Sequence, residues 1–134
     1  MGQFEAEVRL PPGVRAVAAA RAELSRVLAG WGVRNAELLH SSALVVTELV
    51  ANAVRHAGGL QRLVISADYD SITLAVDDLS PTLPRFMPPS EAGGRGLLIV
   101  NALSVSCGFL KHAGDGKRVW ARLARPTAGD QRSS

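Results

Sequence analysis

Three separated sets of residues have the types and spacing to do chemistry. Glu48, Asn52 and His56 fall four residues apart, which on a helix sets a carboxylate, an amide and an imidazole in one row. The sequence around them is strongly apolar. Polar groups buried in such company are costly unless they are paired or bind something, so a ligand or metal ion facing the row is one reading. An exposed helix edge with a satisfied core histidine is the other, and spacing leaves both open. Asp77 and Asp78 follow Val76, where a strand leaves the sheet. A carboxylate there can accept hydrogen bonds from a ligand amine, although aspartates at strand ends are commonly turn formers. Gly93, Gly94, Arg95 and Gly96 directly precede a helix starting at Leu97. That is where free backbone amides and the helix dipole can hold phosphate, with a flexible hinge as the alternative. The run is not a P-loop, since no GKS or GKT follows, and not a dinucleotide fingerprint, since no strand leads into it.

The elements that must position these residues are legible from periodicity. Phe4 to Leu10 alternates as a half-buried strand, and Pro11, Pro12 and Gly13 break it. Val14 to Ala29 carries apolar residues at helical intervals, stopped by Gly30 and Gly32 around Trp31. Asn35 is suited to cap a second, mostly buried helix that runs through the Glu48 row to Gly58 and Gly59. Leu63 to Tyr69 and Ile72 to Val76 alternate as a hairpin with a tight turn at Asp70 and Ser71. Pro81, Pro84, Pro88 and Pro89 mark an irregular loop between Ser80 and Gly94, of a length that usually serves a site. A short helix from Gly96 to Leu103, a strand from Val105 to Lys111, a turn from Ala113 to Gly116 and a last strand from Arg118 to Leu123 follow. The tail from Pro126 to Ser134 is expected to be disordered. This order predicts an α+β fold: a two-layer sandwich with a mixed, mostly antiparallel sheet and helices on one face.

Composition narrows the function classes. The chain has 134 residues, enough for one domain with one continuous core. Its net charge of +3 comes from basic residues scattered singly, and with few aromatics there is neither a basic stripe nor a stacking platform for nucleic acid. The single cysteine, Cys107, excludes an internal disulfide and a thiolate zinc site; it is expected to be a small buried apolar residue in a reducing compartment. No leader-like start or membrane-length apolar run is present, which predicts a cytoplasmic protein.

Taken together, the three sets resemble the ATP-binding domain shared by DNA gyrase and sensor histidine kinases, the Bergerat fold. Within that superfamily the chain is most similar to small bacterial anti-sigma factors that are also serine-protein kinases. TELVANAVRHA resembles their N-box, VDDLSP the first glycine-box region, GGRGLLIV the second, and GKRVWARL the closing strand. The resemblance spans roughly Phe4 to Arg125. It implies ATP and Mg²⁺ as cofactors, with Glu48 as general base toward a protein serine hydroxyl and Asn52 as the Mg²⁺ ligand. It further implies that Asp78 recognises the exocyclic amine of adenine. Gly94, Arg95 and Gly96 would cradle phosphates, and Thr82 to Gly93 would form a short lid. His56, Ser80 and Leu97 are the supporting nucleotide-binding positions.

Two departures stand out. Ser80 and Pro81 replace a glycine that commonly follows the aspartate, which implies a stiffer turn. Arg118 is taken to hold a position where a threonine often supports the adenine pocket, which removes a water-mediated contact to the base. The implied partners are an anti-sigma antagonist protein and a sigma factor, with a homodimer as the common state of such regulators. A nucleotide-binding partner-switching module without catalysis is the main alternative. A histidine-kinase fragment fits less well, because the chain opens on a strand and His40, His56 and His112 lack a helical-hairpin context. A metal hydrolase built on Glu48 and His56 lacks further ligands at any suitable spacing.

Overall fold

The computed structural model describes residues 3–56, 61–78, 95–111 and 116–126. In chain order it contains β1 (Phe4–Leu10), α1 (Arg15–Gly30), α2 (Ala36–His56), β2 (Gln61–Ala67), β3 (Ser71–Asp78), α3 (Arg95–Leu103), β4 (Ser106–Lys111) and β5 (Lys117–Ala124). The strands form one sheet in the order β1-β2-β3-β5-β4. The sheet was expected to be mixed and mostly antiparallel; every pairing among the described strands is antiparallel.

Local chemistry sets the element ends. Gly32 turns with φ at +80°, a conformation open to glycine at little cost. It lets the Val33 N–H reach the Leu28 carbonyl at 2.9 Å and so closes α1. The Asn35 side-chain oxygen accepts from the Leu38 N–H at 2.8 Å and caps α2. The β2–β3 turn lies earlier than Asp70 and Ser71. It is held by the Asp68 carboxylate, which accepts from the Asp70 N–H (3.1 Å), the Ser71 N–H (2.9 Å) and the Ser71 hydroxyl (3.0 Å). Ser71 is therefore the first residue of β3, and Tyr69 sits in the turn.

Strand alternation sends Leu63 and Ile65 of β2, Ile72, Leu74 and Val76 of β3, and Ala121 and Leu123 of β5 to the same face. They are buried against Leu24 and Leu28 of α1 and Val45, Val46, Leu49 and Val50 of α2. Each such leucine, isoleucine or valine contributes roughly 1.5–3 kcal/mol on full burial. Helix α1 packs on β1 and α2, while α2 packs on β3, β5 and α3. Coverage thins over β4, which α3 barely touches. Cys107 is exposed there rather than buried. It stands opposite the fully buried Ala121, but on the outermost strand its helix-side neighbour is the polar Asn101 of α3, whose side-chain oxygen accepts from the thiol at 3.8 Å. On the other face, Gly108 stands opposite Trp120, with the indole 3.3 Å from where a β-carbon would be. Near the opposite edge, Phe4 stacks on Trp31 at a centroid distance of 5.3 Å.

Among the described residues, no helix is long and apolar enough to cross a membrane. The expected tail lies outside them apart from Pro126, as do the Ser80–Gly94 loop, Gly58 and Gly59, His112 and residues 113–115 of the expected turn.

Candidate functional site

Antiparallel register aligns the start of β2, the end of β3 and the start of β5. Gln61 pairs with Asp78, and Asp78 pairs with Lys117. The same end of the sheet is where α2 arrives, since β2 begins five residues after His56. Helix α3 finishes at the far end, where β4 starts opposite Arg122, and it packs on α2. A groove at that far end is lined by Glu37 and Ser41 of α2, Leu103 of α3 and Leu123 of β5. The two helices thus run in opposite senses. Nine helical residues rise about 12 Å, so the start of α3 comes alongside the Glu48–Asn52 stretch of α2.

Glu48 and Asn52 are both half-buried. They flank the stripe of Val45, Leu49 and Ala53 that enters the core, which places them at the margin of the packed face, within reach of both sheet and solvent. Of the two members of the row whose side chains are described, neither is sealed in the core or fully exposed. His56 closes α2, and Arg95, Gly96 and Leu97 open α3 by backbone. The side chains of His56, Arg95 and Leu97 lie outside the described residues, as do Ser80 and Gly94 entirely.

The two aspartates at the end of β3 face opposite ways. Asp78 shares the helix-facing side with Val76, is 1% exposed, and accepts from the Lys117 ammonium at 3.2 Å. Asp77 is fully buried on the other side. It accepts from Arg62 at 2.8 and 3.1 Å and from Arg118 at 2.6 and 2.9 Å. The hydrogen bond to Asp77 raises the pKa of the Arg118 guanidinium; burial opposes the rise, and the charges of Asp77, Glu5 and Glu7 add to it.

This corrects the expectation for Arg118. It belongs to the face away from the helices, and Lys117 holds the place beside Asp78. Counting back by twos from Leu123, Ala121 and Val119 reaches Lys117, and counting back from Leu63 reaches Gln61. That alternation was the available signal for both residues. Gln61 is 2% exposed, and neither amide atom has a hydrogen-bond partner among the described residues. Reaching this row from solvent requires local opening at this end of the sheet.

Residues 10–123 match the family of the histidine kinase-like ATPase domain. The chain belongs to this family. A search of curated proteins returned no match. The histidine kinase-like ATPase family implies ATP binding, usually with Mg²⁺. The residues present fit a nucleotide: a carboxylate at the end of β3, an unsatisfied amide beside it, and a helix start whose first amides have no intrahelical partner. No group of three or more metal-ligating side chains occurs among the described residues. A metal held by one amide and by phosphates would need no such cluster.

Proposed function

We propose that this histidine kinase-like ATPase domain is an ATP-dependent anti-sigma factor that phosphorylates a serine of an antagonist protein. The observation that carries the proposal is that α2, with Glu48 and Asn52 at the margin of its packed face, packs on both β3, which ends at Asp78, and α3. Asp78 would accept a hydrogen bond from the adenine amine. Asn52 would hold Mg²⁺ through its side-chain oxygen, and the Gly94, Arg95 and Gly96 amides would hold phosphates at the head of α3. Glu48 would take the proton from the attacking serine hydroxyl as the new O–P bond forms. Bound Mg·ATP would supply the phosphoryl group with its charge partly neutralised, the bond from the γ-phosphorus to the β–γ bridging oxygen breaking so that ADP leaves.

A pull-down with and without Mg·ATP, followed by phosphosite mapping of the captured protein, tests this reading. Glu48→Ala is expected to lower phosphate transfer by roughly 100-fold or more while leaving nucleotide binding in place. ATP binding with no transfer to any captured partner would overturn the kinase assignment.

A second reading, in which nucleotide only stabilises one partner-binding shape, is favoured by the Asp78–Lys117 ion pair. The ammonium competes for the carboxylate that the adenine amine needs. In that case Glu48→Ala leaves regulation of the partner intact.

A further inference from the structure

The row of Gln61, Asp78 and Lys117 carries more hydrogen-bonding capacity than the protein uses. The Gln61 carboxamide has one acceptor and two donors, all without partners among the described residues, on a side chain that is 2% exposed. An amide left in that condition destabilises the protein that carries it. Methionine or leucine would fill a similar volume at the head of β2 without that penalty.

We propose that Gln61 is a second base-reading residue, beside Asp78. Its carboxamide oxygen accepts from the exocyclic amine of adenine, and its nitrogen donates to the adjacent ring nitrogen. The inference rests on the ATP-binding reading above and adds a residue to it. The edge of adenine presents a donor next to an acceptor, and a primary amide presents the complementary acceptor and donor. A carboxylate alone offers acceptors only, so it can hold the amine but not the ring nitrogen. Gln61 stands directly across from Asp78 on the same face, where cross-strand β-carbons lie about 4.5–5.5 Å apart. That is close enough for the two side chains to share one amine. Lys117 holds Asp78 from the other flank at 3.2 Å. Guanine places a carbonyl oxygen where adenine has its amine, which sets an acceptor against the Asp78 carboxylate.

The test pairs two measurements on the full chain, wild type and Gln61→Met: thermal unfolding without nucleotide, and equilibrium binding of ATP and of GTP with Mg²⁺. Methionine is expected to raise the unfolding temperature, weaken ATP binding roughly tenfold and change GTP binding much less. A role in packing alone moves the first readout without the second. The inference is overturned if ATP affinity stays within about twofold of wild type. It is also overturned if the methionine variant unfolds at a lower temperature, because the amide would then be partnered within the protein. Wild-type protein that binds neither nucleotide removes the ATP reading and this inference together, whereas ATP binding indifferent to Gln61→Met removes this inference alone.

Discussion

Asp78 is kept from water in the company of a cation, and that pairing can be tested one residue at a time. Its side chain and that of Lys117 are 2% and 4% exposed, so neither charge has solvent to fall back on. Lys117→Met is expected to lower the unfolding free energy by about 3 kcal/mol, measured in urea, because it leaves a sealed carboxylate without its ammonium. Adding Asp78→Asn to Lys117→Met should recover much of the loss. Full additivity of the two changes in a double-mutant cycle would show that the pair is not coupled.

At this scale the sequence was informative about which residues matter and less so about where they face. Glu48, Asn52 and Asp78 stand out by type and spacing. Gln61 does not, because a glutamine just ahead of the first alternating residue, Leu63, reads as a loop polar group. The motif points to Arg118 rather than Lys117, because a motif carries residue identities without the parity that decides which face each one takes. For Cys107 residue type suggests burial, whereas its exposure follows from sitting on the outermost strand.

Among the elements, the β2–β3 hairpin shows how one side chain can move a boundary. The Asp68 carboxylate lies below its ordinary pKa of 3.8, owing first to the side-chain hydrogen bond with Asp70, then to that with the Ser71 hydroxyl, and to both residues' backbone N–H groups. A depressed carboxylate pKa adds stability that is present above the unfolded value and lost as pH falls through the folded one. The wild-type protein should therefore lose stability below about pH 4 more steeply than Asp68→Asn, whose side chain does not titrate. Parallel acid-unfolding curves for the two proteins would remove this turn from the account. Elsewhere, strand and helix limits read from periodicity fall within about two residues of the observed ones. Alternation and the 3.6-residue repeat survive packing, and caps such as Asn35 and Gly32 act locally. The hairpin turn shifted because the Asp68 carboxylate organises it, together with the backbone bond from the Asp68 N–H to the Ser71 carbonyl at 3.0 Å.

For the whole molecule, two layers leave one sheet face to the helices and the other to charged partners of Asp77. Order along the chain was enough to anticipate this α+β architecture, since hairpins separated by helices have few ways to bury a single apolar face. The alignment of Gln61, Asp78 and Lys117 in one row was not legible from periodicity. It depends on which strand ends fall in register, a long-range property that the motif resemblance could suggest and only three-dimensional pairing could display. If Mg·ATP binds the folded chain, it must also stabilise it. At a free concentration 100 times the dissociation constant the gain is about 2.7 kcal/mol, readable as an upward shift of the melting curve. Glu48→Ala should keep that shift, and Asn52→Ala should lose the part that depends on Mg²⁺.

Both tryptophans sit apart from the row that contains Asp78. The indole of Trp120 lies over Gly108 on the opposite face, and Trp31 rests on Phe4 beyond the end of α1. Neither ring is placed to touch a base held beside Gln61. Intrinsic fluorescence that responds to added nucleotide would therefore report a displacement carried through the backbone, and separating the two emitters by single Trp→Phe changes would reveal which edge of the molecule it reaches.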